Sequence, residues 1–310
     1  MRAAALAAAA LALPALLRLV RRSPPPLPIP WGRAHRYVWR GHTVTFQQAG
    51  DGAPLLLLHS LGPGHDGAEW RGVAERLAAR FRVLVPDLPG WGRSALLERT
   101  PTAELYRDFV GDFLAEVVRE PAPVVAAGGS APFAAAAASA LPEAVRLLGV
   151  VTPRGLGGSP RPQLWPRLLD LPVLGAPAFA LATSRIAVER HLRSRLDRPE
   201  VVDAGRLAHH LRSCRRPGAD RALIAWWQGR LDADAAPALA QLGAPLWIAW
   251  GRLAQRPPVG DADLWLRLVP AARVDVFEGC GDLPHVEHAG LFCRAFEQQL
   301  GALPDSVRTA

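Results

Sequence analysis

Pro123-Val124-Val125-Ala126-Ala127-Gly128-Gly129-Ser130-Ala131-Pro132, running on into Ala134 to Ala138, is the stretch whose reading decides the fold. The short apolar run ahead of the glycines reads as a strand covered on both faces. The alanines read as a helix. A Gly-x-Ser-x turn joins them, and strand, tight turn and helix form the context that turns a serine into an exposed nucleophile. Ser130 is therefore the candidate nucleophile, beside a helix N-terminus that favours negative charge. The plainer alternative is a small residue filling a tight turn. Pro132 is compatible with a first helical turn, where a missing N–H removes no bond.

Outward from this stretch, strands and helices alternate. Residues Arg36 to Trp39 and Thr43 to Gln47 read as a hairpin around Gly41. Pro54 to His59, Arg82 to Pro86, Leu147 to Val151, Pro245 to Trp250 and Arg273 to Phe277 read as strands. Trp70 to Ala79, Thr102 to Arg119 and Val286 to Leu300 read as helices. Alternation of this kind predicts an α/β architecture, a doubly wound and mostly parallel sheet. Residues 155–241 break the rhythm with Pro-rich turns and Leu/Arg-rich helical pieces, and are expected to form an inserted helical cap. The core then comprises 34–154 and 242–305, preceded by an apolar segment and Pro-rich spacer over 1–33.

The net charge of +8 invites a nucleic-acid reading, but its distribution opposes one. Seven arginines and no acid lie in the first 50 residues, while the other 260 hold 29 arginines against 28 acids. A nucleic-acid footprint would be a basic stripe on a folded face. A basic arm beside an apolar run fits an anionic membrane surface better. Residues Ala3 to Leu17 are apolar apart from Pro14, with Arg18, Arg21 and Arg22 closing the run. The run is short for a span. An uncleaved anchor or membrane-lying helix through residues 3–20 is expected, and the arginines on its C-terminal flank favour a cytoplasmic main domain. Three scattered cysteines, Cys214, Cys280 and Cys293, fit neither a disulfide framework nor a zinc site, so no metal and no cofactor are expected.

Four segments in order carry a resemblance. They are Leu55 to His59 with Ser60-Leu61-Gly62, Arg82 through Asp87 to Ser94, the Ser130 turn, and Gly279-Cys280-Gly281-Asp282-Leu283-Pro284-His285. Together they resemble the α/β-hydrolase family with a cap, over roughly residues 35–300. The resemblance implies a serine nucleophile at Ser130 and an oxyanion hole from the backbone N–H groups of Leu61 and Ala131. It implies a structural role for Asp87. It also marks two departures. The acid position, at the end of Trp247 to Ala254, holds Ala254. The base position holds Asp282, an acid at neutral pH and a poor base for a hydroxyl. His285, three residues on, is the candidate replacement base, and His59 is expected to brace the oxyanion loop.

Two functions stay open on this reading, beside a third, a membrane-tethered scaffold whose pocket is collapsed and filled by side chains. One is a serine hydrolase acting on a hydrophobic ester through Ser130, Asp282 and His285. The other is a catalytically silent relative that holds an apolar small molecule under its cap. The sequence leaves the oligomeric state open. His209-His210, adjacent on a helix, point in different directions and suit no shared metal.

Overall fold

The computed structural model describes residues 31–95, 97–157, 169, 175–216 and 218–303. The expected apolar segment and membrane contact at residues 3–20 lie outside them. Among the described residues, no helix is long and apolar enough to cross a membrane.

Eight strands form one sheet: β1 (Arg33–Trp39), β2 (His42–Ala49), β3 (Ala53–Leu58), β4 (Phe81–Pro86), β5 (Ala122–Ala127), β6 (Val145–Val151), β7 (Leu246–Gly251) and β8 (Arg273–Phe277). Their spatial order is β1-β2-β4-β3-β5-β6-β7-β8. The β1–β2 and β2–β4 pairs are antiparallel and every other pair is parallel. The doubly wound, mostly parallel sheet expected from the alternation is thus present. Helices of the core are α1 (Arg71–Leu77), α2 (Ala103–Phe113) and α3 (Ala131–Ala140). Between β6 and β7, where the insertion is expected, stand α4 (Gly175–Ala182), α5 (Arg185–Arg193), α6 (Ala204–Cys214), α7 (Asp220–Trp227) and the short α8 (Ala236–Leu239). The chain closes with α9 (Ala262–Leu268), α10 (Pro284–Glu287) and α11 (Ala289–Gly301). The single closing helix expected over 286–300 is broken at His288, whose φ of −134° and ψ of 54° leave helical geometry.

Side chains on a strand alternate between faces, and the core divides accordingly. Leu56, Leu58, Val124 and Ala126 join Phe109, Phe113 and Phe133 on one face. Leu55, Leu57, Val125 and Ala127 join Trp70, Phe292 and Phe296 on the other. Each leucine so buried contributes about 1.5–3 kcal/mol, which is why the central strands read as unbroken apolar runs. Thr102 caps α2 by accepting the Leu105 N–H, as a side-chain oxygen at that position should. Asp87 accepts the backbone N–H groups of Gly67 and Arg93, each at 2.8 Å. It is the brace that the resemblance implies, holding the loops at the carboxyl ends of β3 and β4.

Candidate active site

The site is built where β5 gives way to α3. β5 pairs with β6 up to Ala127, and the next residue, Gly128, turns the corner with φ +52°. A positive φ at a strand-to-helix corner costs glycine least, so the strained place falls on Gly128. Ser130, expected there, stands two residues further on. Its φ of −84° and ψ of −11° are ordinary right-handed geometry, and it is fully buried. Its hydroxyl donates to the His59 carbonyl at 2.6 Å. The left-handed corner residue thus carries no side chain, and the Ser130 hydroxyl is hydrogen-bonded to the loop after β3.

The Ala131 N–H closes the first turn onto the Gly128 carbonyl, which also accepts the Arg154 N–H at 3.0 Å. Leu61 does lie at the corner, its side chain 3.3 Å from where a Cβ on Gly129 would sit. His59 braces the loop as expected. Nδ1 meets the Ser60 carbonyl at 2.8 Å and Nε2 accepts the Leu88 N–H at 3.0 Å, so both ring nitrogens are engaged.

Asp282 and His285 are brought near the sheet's carboxyl edge but to different partners. Asp282 accepts Arg195 Nε at 3.1 Å and the Gln255 N–H at 3.1 Å, and donates its own N–H to the Arg195 carbonyl at 2.7 Å. Both side chains are nearly sealed, at 8% and 3% exposure. Arg195 follows α5, and its Nη2 lies 3.8 Å from where a side chain on Gly128 would begin. A guanidinium from the helices between β6 and β7 thus stands beside the Gly128 corner, paired with Asp282. Ala254, at the acid position, is buried and apolar.

His285 belongs instead to a second knot centred on Glu69. Glu69 accepts His285 Nε2 at 3.0 Å, His65 Nδ1 at 2.6 Å, the Ser60 hydroxyl at 2.7 Å and the Ser60 N–H at 3.1 Å. An ionised carboxylate only accepts, which sets the imidazole tautomers. Burial alone would raise the Glu69 pKa, but hydrogen bonds from His285 and His65 outweigh it and hold the carboxyl well below its usual range. Burial pushes His65 down. His191 and His210 are also held down by burial, His210 to about 3. His209 is opposed by burial but raised by Asp66, which it meets at 2.7 Å. His210 Nδ1 meets the Pro63 carbonyl at 3.1 Å. Histidines of α6 thereby clamp the loop carrying Leu61.

Sequence reading missed Arg195 and Glu69. Glu69 had a signal: Ser60, His65 and Glu69 crowd polar groups just after an apolar strand. Arg195 had none, since nothing local distinguishes it from the many other arginines of the insertion. Among the described residues, no group of three or more His, Cys, Asp or Glu side chains is placed to hold a metal ion. The three cysteines are free and buried.

A profile of the alpha/beta hydrolase family matches residues 55–295. A pimeloyl-[acyl-carrier protein] methyl ester esterase of Aeromonas salmonicida is 29% identical over 255 residues, covering 81% of this chain and 96% of that protein. Among solved structures, a serine hydrolase involved in carbazole degradation superposes with TM-score 0.74 at 19% identity, covering 87% of this chain and 99% of that one. A bacterial membrane phospholipase A superposes with TM-score 0.71 at 22% identity, covering 99% and 96%. With the sheet order, the braced loop after β3 and the left-handed corner after β5 already in place, the match over residues 55–295 means that this chain belongs to the alpha/beta hydrolase family.

Proposed function

We propose that this protein is a ligand-binding member of the family, one that performs no acyl transfer at the β5 corner and holds an apolar small molecule beneath its inserted helices. The observation that carries the reading is Gly128 at the left-handed corner. Acyl transfer by a serine needs a nucleophile there, an imidazole to take its proton and a carboxylate to orient that imidazole. The corner has no side chain, the base position holds a carboxylate with both oxygens engaged, by Arg195 and Gln255, and the acid position is Ala254. Losing one member of such a set costs several orders of magnitude in rate. The apolar arm at residues 3–20, as a membrane-surface contact, fits this reading as a route by which such a ligand arrives.

The second reading is hydrolysis of a hydrophobic ester through Ser130, with His285 as base. The name carried by the Aeromonas relative, a methyl ester esterase, favours it. It requires Ser130 to release the His59 carbonyl and to come within reach of the unpartnered Nδ1 of His285, whose Nε2 Glu69 holds. Labelling with a fluorophosphonate probe separates the two. The expected result is no labelling of folded protein and no turnover of p-nitrophenyl acyl esters. Labelling that disappears in Ser130→Ala overturns the binding reading in favour of the second.

A further inference from the structure

The loop after β3 meets the inserted helices through histidines. His65 on the loop lies edge-on to His191 of α5, ring centroids 5.9 Å apart and planes at 86°. It lies edge-on to His210 of α6 as well, at 5.2 Å and 86°. His191 in turn packs edge-on against Trp226 of α7 at 6.0 Å. The backbones close up at the same place, where a Cβ on Gly64 would collide with the backbone of His210.

We propose that this cluster is a pH-sensitive clasp, closed while its rings are neutral, which mild acid opens so that α5 and α6 part from the loop while the sheet stays folded. The inference goes beyond the binding reading above and does not rest on it.

The first argument is the lack of an acceptor. A Cβ on Gly62 would lie 3.3 Å from His191 Nε2 and 3.6 Å from His65 Nε2, so both nitrogens border one small space. Both are buried without a hydrogen-bond partner. His65 gives its Nδ1–H to Glu69 at 2.6 Å, which leaves its Nε2 a bare lone pair in the neutral ring. Charging both rings would aim two N–H groups into this space with no acceptor for either, the costly case for a buried donor.

The second argument is the surrounding charge. Burial is the main reason that His65, His191 and His210 stay neutral. From the core, Glu69 favours charge on His65, but it already serves Ser60 and His285. Asp66 favours charge on His210 and is already held by His209. Against them, Arg195 beyond α5 opposes charge on both His65 and His191, as His59 does on His65 and Arg256 beyond β7 does on His191. His65 and His209 oppose it on His210, and His65 and His210 oppose it on His191.

The third argument is placement. One ring stands on the loop and two on the helices, so their mutual repulsion acts across the boundary and not within an element. The chain beyond α5 is tied to the core separately, since Glu287 accepts the Asp197 and Arg198 N–H groups at 2.7 and 2.8 Å. That tie gives the opening a pivot.

A ring that is neutral when closed and titrates near ~6.5 when open multiplies the opening constant by about eightfold between pH 7 and ~5.5. Three such rings give several hundredfold. His209, raised by Asp66 in the closed state, works the other way and draws the total back toward about a hundredfold.

Backbone hydrogen–deuterium exchange of the full chain at neutral pH and at ~5.5, corrected for the intrinsic pH dependence of exchange, tests the clasp. The expected result is a loss of protection of about a hundredfold in α5 and α6, with β3 and β5 unchanged, regained on return to neutral pH. His191→Phe keeps an edge-on ring without a titrating nitrogen, and should cut the response by about eightfold. His210→Gln keeps a donor for the Pro63 carbonyl and should do the same. His42→Gln, in the β1–β2 hairpin, should leave the response intact. Either cluster variant carries the test if the other does not fold. Equal protection of α5 and α6 at the two pH values overturns the inference. So does a loss shared equally by α5, α6, β3 and β5, which is global acid unfolding, and so does an undiminished response in a folded cluster variant. Exchange is read without ligand, so fluorophosphonate labelling of Ser130 would sink the binding reading and leave the clasp standing.

Discussion

Replacing Asp282 by alanine should unlock the corner and destabilise the fold together. Arg195 meets Asp282 at 3.1 Å, with both side chains at 8% exposure or less. The substitution leaves a guanidinium buried with no carboxylate, next to Arg154, whose own pKa is lowered by burial and by Arg195. It also strips the Gln255 N–H of its acceptor. Breaking such a pair from one side costs about 3–5 kcal/mol. At ~2–4 °C per kcal/mol for a chain of this size, the melting temperature should drop by about 6–20 °C. The converse is just as specific. Arg195→Met with Asp282→Leu removes both charges with little change in total volume, so it should recover most of the loss, all but the cost of the Gln255 N–H left without its acceptor, about 1 kcal/mol. Urea denaturation of the wild type, both singles and the double yields the coupling directly. A single Asp282→Ala costing under about 1 kcal/mol would refute the lock. So would a double variant as unstable as the single, because the pair would then be acting through something other than its charges.

Ser130→Ala removes one buried hydrogen bond to the His59 carbonyl and should cost about 1 kcal/mol in denaturant titrations, with fluorophosphonate reactivity unchanged from background. Glu69→Gln leaves His65, His285 and Ser60 competing for a weaker acceptor, and should cost about 3 kcal/mol or more in the same titrations. Acid should weaken the protein in two windows. His65, His191 and His210 are held neutral in the fold, so the unfolded chain binds more protons below ~6.5 and stability falls as pH drops through that value. His209, raised by Asp66, works against this trend as a single group. Its contribution is present below ~6.5 and is lost as pH rises through its folded value. Glu69, held low, contributes stability above ~4.3 that is lost as pH falls further. Melting curves between pH 7.5 and 3 should therefore decline in both windows, and a melting temperature that holds constant from pH 7 to 5 would contradict neutral burial of the three histidines.

The sheet was legible because its strands are buried on both faces. Leu55 to Leu58 and Val124 to Ala127 can be nothing but core when every side chain is apolar. The loop after β3 was legible as well, down to the bracing role of His59 and of Asp87. The left-handed turn falls at Gly128, just past the strand's last paired residue, Ala127, and with glycines at both 128 and 129 a local pattern has no means of choosing between them. The partner of Asp282 was not legible, since Arg195 reaches it across 87 positions. Contacts that distant leave no mark on local periodicity. The same holds for His285, whose partner Glu69 lies 216 residues away.

Ser60 stands in the loop facing Gly128, and a Cβ added to Gly128 would lie 3.2 Å from the Ser60 Cβ. The two positions share one small volume, and the chain has put its side chain on the loop side of it. A serine reintroduced at residue 128 would have to fit into space already taken, on backbone that side chains rarely adopt. Ser60 cannot simply give way, because its hydroxyl and N–H are both held by Glu69. A side chain at residue 128 therefore requires Ser60 to shift by a few tenths of an ångström on top of the backbone strain, and Gly128→Ser paired with Ser60→Gly removes the first of these two obstacles.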